Sequence, residues 1–299
     1  MVSFRRENTV DSTPRITLAG ALITVVCTAV ATAAPPEDAG WLASVSAAQS
    51  AAREDGRLIF VDLWADWCSW CKKLEEEVFS TPTFQDFAKN FVLLRVNTED
   101  EGEGARLQAD FGIVSLPTTL LLDANLVKVG ELQGFAPTEP YIQNLELERA
   151  MFQMLVRSYD NLEESADRDM LKTLADDFHA RRDGARASAL YRRLLSTVES
   201  GSEDDVWNRF YYADSLRLQG AFEDARLAQA QVRGMASELH IDELIELNDL
   251  LSYHIAHDAK ACLEAQSALE AFVSEHPDGI FIRVAEDALE SIGKERECA

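Results

Sequence analysis

The segment that most restricts what this chain can become runs from Leu58 to Phe79. Leu58-Ile59-Phe60-Val61-Asp62-Leu63-Trp64 is an apolar run of strand length. Three residues later Cys68-Ser69-Trp70-Cys71 opens a helical pattern that carries Leu74 and Val78 on one face. A C-x-x-C at such a junction puts Cys68 at the helix N-terminus and Cys71 one turn further in. Unpaired amides and the helix dipole there favour a thiolate on the first sulfur, and the thiolate is the attacking species in disulfide exchange. The spacing of three lets the two sulfurs bond, so the pair can cycle between dithiol and disulfide. Zinc, the competing use of paired cysteines, asks for four ligands. No second C-x-x-C or His pair lies nearby, and His254 and His257 are far along the chain. Neither a metal nor a cofactor is expected. A purely structural disulfide is the other competitor, and the strand-to-helix setting argues against it.

Around this segment the pattern alternates. A helical stretch covers residues 41–53 and ends near Gly56. After the C-x-x-C helix, Thr81-Pro82 starts a short helix through Phe84 and Phe87, and Phe91-Val92-Leu93-Leu94-Arg95-Val96 is a second buried-strand run. A short helix over 103–111, a third strand over 118–122 and a fourth over 126–132 follow, with Asp123-Ala124-Asn125 as the turn between the last two. A further helix starts near Thr138. Strands alternating with helices and closing in a hairpin predict an α/β domain, its mixed sheet covered on both faces.

Val61-Asp62-Leu63-Trp64-Ala65-Asp66-Trp67-Cys68-Ser69-Trp70-Cys71-Lys72 resembles the active-site segment of the thioredoxin superfamily. Leu116-Pro117-Thr118, ahead of an apolar strand, resembles that family's cis-proline loop. Glu77-Val78-Phe79-Ser80-Thr81-Pro82 and Gly134-Phe135 are similar to the C-terminal domain of the bacterial interchange protein DsbD and to related secreted thioredoxin-like proteins. The resemblance covers roughly residues 40–148 and implies a thioredoxin fold and thiol–disulfide oxidoreductase chemistry. It implies Cys68 as nucleophile, Cys71 as resolving cysteine and Asp62 as a buried acid near the second sulfur. Burial in a low dielectric would raise the pKa of Asp62 and let it accept the Cys71 proton. Pro117, in cis form, would present the Leu116 backbone to an extended substrate segment. Trp67 and Trp70 would flank the site, or serve as packing residues. Arg95 stands where the family usually has Lys. Ser69-Trp70 replaces the Gly-Pro of cytoplasmic thioredoxins, and this dipeptide tunes the redox potential. By itself it leaves reductase, oxidase and isomerase open; the DsbD-like similarity implies a reductase.

The N-terminal residues set the compartment. Arg5, Arg6 and Arg15 precede an uncharged run over 16–34 that ends in Ala31-Thr32-Ala33-Ala34 before Pro35-Pro36. This reads as a secretory signal with cleavage after Ala33, or as an uncleaved membrane anchor. Cys27 lies within that run. Either way the remaining chain is expected outside the cytoplasm, periplasmic or otherwise exported. The partners there would be exported protein thiols and disulfides and an upstream redox donor, with membrane contact only through an uncleaved anchor. The formal net charge of -24 excludes nucleic acid, because phosphate would be repelled.

Three domains follow: residues 1–34 as signal or anchor, 35–148 as the thioredoxin-like domain and 149–299 as a helical domain. In the last, amphipathic segments cover 185–198, 206–218 and 222–235, and Ala189, Ala225 and Ala261 stand 36 residues apart. Gly184 and Gly220 share that interval. Leu218 to Ala225 resembles the turn of a tetratricopeptide repeat, where a small residue packs between paired helices. The alternative is an ordinary helical bundle. Residues 259–275 and 280–292 read as an antiparallel hairpin about Pro277-Asp278-Gly279, with Cys262 and Cys298 at its open end. A structural disulfide there and two free thiols are both open. Two functions compete: an enzyme exchanging disulfides in exported clients, and a client-specific redox adaptor whose helical domain binds a partner protein.

Overall fold

The computed structural model describes residues 40–100, 102–197 and 201–292. The expected export segment, Cys27 and Cys298 lie outside them. The α/β part is a five-stranded mixed sheet in the order β1-β3-β2-β4-β5, made of β1 (Trp41–Leu42), β2 (Leu58–Trp64), β3 (Phe91–Asn97), β4 (Thr118–Leu122) and β5 (Lys128–Gln133). The first three named in that order run parallel, and β4 and β5 are antiparallel. The expected helix over 41–53 is shorter. Trp41–Leu42 pairs with Leu93–Leu94, and α1 (Val45–Asp55) begins only after the extended Ser44.

Alternation along the strands sorts side chains between two cores. Ile59, Val61 and Leu63 of β2, with Val92, Leu94 and Val96 of β3, pack against Ala48 and Ala52 of α1 and Leu107 of α4 (Glu103–Asp110). The intervening Phe60, Phe91 and Leu121 face α2 (Ser69–Leu74), α3 (Pro82–Ala88) and α5 (Thr138–Asp160). A π-turn over Glu75–Phe79 continues α2, closed by Ser80 N donating to Glu75 O at 3.0 Å. Polar Asp62, Arg95 and Thr119 fall on this second face, opposite one another in register.

Helix α5 runs unbroken through residue 148, where the expected domain boundary falls. Tyr141 and Leu145 pack under the sheet, whereas Leu155, Val156 and Tyr159 pack on α6 (Arg168–Ala180) and α7 (Gly184–Leu195). Phe152 touches both cores, so one helix belongs to the two halves.

Three helical hairpins follow: α6 with α7, α8 (Glu203–Leu218) with α9 (Phe222–Leu239), and α10 (Asp242–Asp258) with α11 (Cys262–Glu275); α12 (Ile282–Ile292) packs on the last. Each hairpin turns through one left-handed residue, Arg182, Gly220 or Lys260. The next amide in each case donates at 2.9 Å to the carbonyl five residues back: Asp183 to Phe178, Ala221 to Leu216 and Ala261 to Ala256. This geometry corrects the 36-residue register. Gly184 is the first residue of α7, and the counterpart of Gly220 is Arg182. The small residues buried at the fourth position of the second helices are Ala187, Ala225 and Ala265, all fully buried. Unequal helix lengths hide this spacing from a fixed-interval search.

A Cβ at Gly184 would lie 2.4 Å from Ser215 O and 2.6 Å from Gln219 N, both backbone atoms of the neighbouring hairpin, whereas one at Gly234 in α9 would meet nothing within 4 Å. Helix propensity favours alanine over glycine by up to about 1 kcal/mol. Gly234→Ala should therefore raise the urea midpoint. Gly184→Ala should lower it, with a loss of about 1–3 kcal/mol of unfolding free energy, because crowding dominates. Shifts of the same sign in both variants would contradict this packing.

Candidate active site

The strand-to-helix junction after β2 forms the centre of the site. Ala65 O accepts from Cys68 N at 3.0 Å, and Cys68 is the N-cap of α2, its Sγ accepting from Cys71 N at 3.1 Å. Cys68 and Cys71 are joined in a disulfide, with their Cα atoms 5.3 Å apart. Each cysteine is only 3% exposed, packed with Ala65, Trp64 and Leu116. The Leu116–Pro117 peptide is cis, and Pro117 O accepts from Gly134 N at 2.8 Å. The loop between α4 and β4 and the turn after β5 thus meet beside the sulfurs. The structure brings Cys68, Cys71 and Leu116 into contact and places Pro117 next to them in the chain.

The two tryptophans stand on the surface, Trp67 at 66% and Trp70 at 53% exposure. Trp67 Nε1 donates to Glu99 Oε1 at 2.6 Å. The Trp70 ring lies 5.8 Å from Phe135, and Lys73 Nζ sits 5.1 Å and 4.7 Å from the two ring centroids. That arrangement fixes a side chain between the two cysteines to the loop carrying Gly134.

On β2, the strand that leads into the C-x-x-C, Asp62 is 2% exposed. Its sheet neighbours are Arg95 on β3 and Thr119 on β4. Arg95 Nε lies 3.2 Å from Asp62 Oδ2, and Arg95 Nη2 donates to Glu75 Oε2 at 2.8 Å. The guanidinium also lies 4.9 Å from the Trp64 ring. Asp62 Oδ1 is buried with no hydrogen-bond partner among the described residues. Burial raises the Asp62 carboxyl from 3.8 to about 7, against the pull of Arg95 and with a smaller push from Glu75. The Arg95 hydrogen bond holds Glu75 below its ordinary value. Tyr141 OH pairs with Thr119 Oγ1 at 2.5 Å, and burial pushes its phenol upward. A carboxyl that exchanges its proton near neutrality has the proton affinity of a general base or acid at that pH.

Glu75, Glu99 and the anchoring role of Phe135 escaped the sequence reading. Glu75 stands one turn after Cys71, a helical spacing that could have flagged it. Glu99 carries no such signal, because only the fold brings it to Trp67. Cys262 is the first residue of α11, and Cys298, its expected partner, lies outside the described residues. Asp249, Glu275 and His276 cluster elsewhere, where Arg233 bridges the two carboxylates, bonding Asp249 at 2.8 Å and Glu275 at 2.7 Å.

The folded state holds the Asp62 proton to higher pH than the unfolded chain does. The stability this group supplies is present in full below about pH 4 and is lost as pH rises through about 7. At pH 8 Asp62→Asn should be more stable than the parent by about 2–4 kcal/mol, and the gap should close toward pH 4. Urea unfolding across that range measures it; a gap independent of pH would show that Asp62 does not bind a proton in the folded protein.

A family model described as thioredoxin-like matches residues 40–124. The thiol:disulfide interchange protein DsbD of Haemophilus influenzae (strain PittGG) is 35% identical over 92 residues, 30% of this chain and 16% of that protein. DsbD of Yersinia pestis (strain Pestoides F) is 33% identical over 98 residues, 32% of this chain and 16% of its own. The match therefore spans about a sixth of the length of these curated relatives. The oxidised C-terminal domain of Neisseria meningitidis DsbD is 19% identical, covering 36% of this chain and 99% of that one with a TM-score of 0.32. With this sheet order and C-x-x-C disulfide, the α/β part of the chain is a domain of thioredoxin fold, matched by the thioredoxin-like family model over residues 40–124 and similar in sequence to DsbD.

Proposed function

We propose that this protein reduces disulfides in exported proteins, with Cys68 as nucleophile, Cys71 as resolving cysteine and Asp62 as proton acceptor. The observation that carries the reading is the Cys68–Cys71 disulfide at the start of a helix, preceded by a strand on which Asp62 Oδ1 is buried without a hydrogen-bond partner among the described residues. In the dithiol form the Cys68 thiolate attacks one sulfur of a client disulfide, and the other client sulfur leaves as a thiolate that takes a proton. Asp62 then accepts the Cys71 proton, Cys71 attacks Cys68 Sγ, and the second client thiol is released. An upstream dithiol donor returns the pair to the reduced state. The cis Leu116–Pro117 segment would receive an extended stretch of client by strand-like pairing, with Trp67 and Trp70 flanking it.

Several finer assignments belong to the same reading. The run over 16–34 serves as a secretory signal or an anchor, and the chain works in the periplasm or another exported setting. Among the described residues no helix is long and apolar enough to cross a membrane. Functionally the chain divides near residue 148, and the hairpins beyond it are tetratricopeptide-like. Cys262 and Cys298 form a structural disulfide. Three successive hairpins with the same turn geometry favour one alternative, a client-specific redox adaptor whose helical part binds a partner protein.

Purified protein should reduce insulin, and Cys68→Ser should abolish the activity. Cys71→Ser should accumulate a mixed disulfide through Cys68. The Cys68–Cys71 potential should lie near that of thioredoxin, about −270 mV; a value near −120 mV would mark an oxidant and overturn the reductase assignment. Inactivity on insulin together with a mixed disulfide to one exported protein would favour the adaptor.

A further inference from the structure

Besides the shared helix α5, the turn between α6 and α7 brings the helical part against the thioredoxin-like part. Lys128 N, at the start of edge strand β5, donates to Arg181 O at 2.8 Å. Arg181 Nη1 returns bonds to Lys128 O at 3.2 Å and Val129 O at 3.3 Å, and its guanidinium lies 5.5 Å from the Phe152 ring. Arg182 points the other way. Its Nη1 donates to Asp110 O at 3.0 Å, lies 3.4 Å from Asp110 Oδ1, and the guanidinium sits 5.4 Å from the Phe111 ring.

Asp110 is the last residue of α4, and its carbonyl is among the groups a helix end leaves without an internal partner. The chain then passes through Phe111, Gly112, Ile113, Val114 and Ser115 to Leu116, which packs on the cysteines. Phe111 N donates to Leu107 O and Gly112 N to Ala109 O, both at 3.1 Å, Ser115 Oγ donates to Gln133 Oε1 at 3.2 Å, and Ile113 is buried in the sheet core. Gln108 O accepts from Ile113 N at 2.9 Å, Gln108 Nε2 donates to Ile113 O at 3.2 Å, and Thr118 Oγ1 donates to Ser115 O at 2.7 Å. Val114 is 89% exposed.

Arg182 itself is rigidly held. Its N donates to His179 O at 2.8 Å, Asp183 N donates to Phe178 O at 2.9 Å, and Asp183 caps α7 through Arg186 N at 3.1 Å. Its φ of 61 is one that costs a residue with a Cβ, and the matching turn of the next hairpin uses Gly220 there. The side chain at this position thus braces, from a fixed frame, the end of the helix that leads into the client-facing loop.

We infer that Arg182 is a positioning residue for disulfide exchange: through Asp110 and Phe111 it holds the 111–117 segment so that the Leu116–Pro117 backbone is set for an extended client. The inference rests on the oxidoreductase reading for its client, but the brace itself can be measured without activity.

Hydrogen exchange on the full oxidised chain is the first arm. In Arg182→Gln the amides of Phe111, Gly112 and Ile113, which donate to Leu107, Ala109 and Gln108, should exchange at least 10-fold faster, with those of β2 and α2 unchanged. Asp110→Asn, acting from the other side of the contact, should shift the same amides less and in the same direction. Arg182→Lys, which keeps the charge beside Asp110, should recover at least half of the loss. In the second arm the KM for oxidised insulin should rise about 5-fold in Arg182→Gln with kcat within 2-fold. Unchanged exchange at 111–113 would overturn the inference, as would a shift in the Cys68–Cys71 potential in Arg182→Gln, which would mean the whole site had been disturbed. If the parent chain fails to reduce insulin, the oxidoreductase reading fails, and the exchange arm still decides the brace.

Discussion

Burial of β2 on both faces is the constraint from which the rest follows. A strand with neighbours on each side and helices above and below must alternate its side chains between two cores. Ile59, Val61 and Leu63 take one core, so Asp62 is forced into the other together with Phe60. No water is at hand to solvate a carboxylate there, which is why its proton is held to about pH 7. The parallel and antiparallel registers then set Arg95 and Thr119 on either side of it. The buried acid of β2 is thus a consequence of strand period and pairing rather than of local sequence around Cys68.

Charge around that acid is balanced at some distance. Arg95 approaches Asp62 but gives its hydrogen bond to Glu75, which sits closer to solvent at the start of the π-turn. The cation therefore has a charged partner whether or not Asp62 holds its proton. An arginine fits this double duty better than a lysine, because its planar fork can reach two carboxylates and still lie against Trp64.

The helical part is not a loosely tethered appendage. α5 contributes Tyr141 and Leu145 to one core and Tyr159 to the next, and the α6–α7 turn covers the backbone of the sheet edge at Lys128. An exposed edge strand invites pairing with other chains, and Arg181 closes this one at its start. A composition-based boundary at 148 misses this, since amphipathic helix continues across it without a break in pattern. The repeat register failed for a related reason. Ala187, Ala225 and Ala265 are equivalent by their place after a left-handed turn, and only Gly220 announces such a turn in the sequence.

By itself the sequence determined the α/β class, strands β2 to β5 within a few residues and the Cys68–Cys71 pair, whereas a buried Asp62 was implied only by the family resemblance. The first three depend on period, spacing or residue type over short stretches. It did not reveal β1, whose two residues gain their strand character from Leu93 and Leu94 rather than from any propensity of their own. Tertiary structure alone decided the partners: Glu75 for Arg95, Glu99 for Trp67, Phe135 for Trp70 and Asp110 for Arg182. Such contacts join residues 20 to 72 positions apart, and chain folding, not local pattern, brings them together.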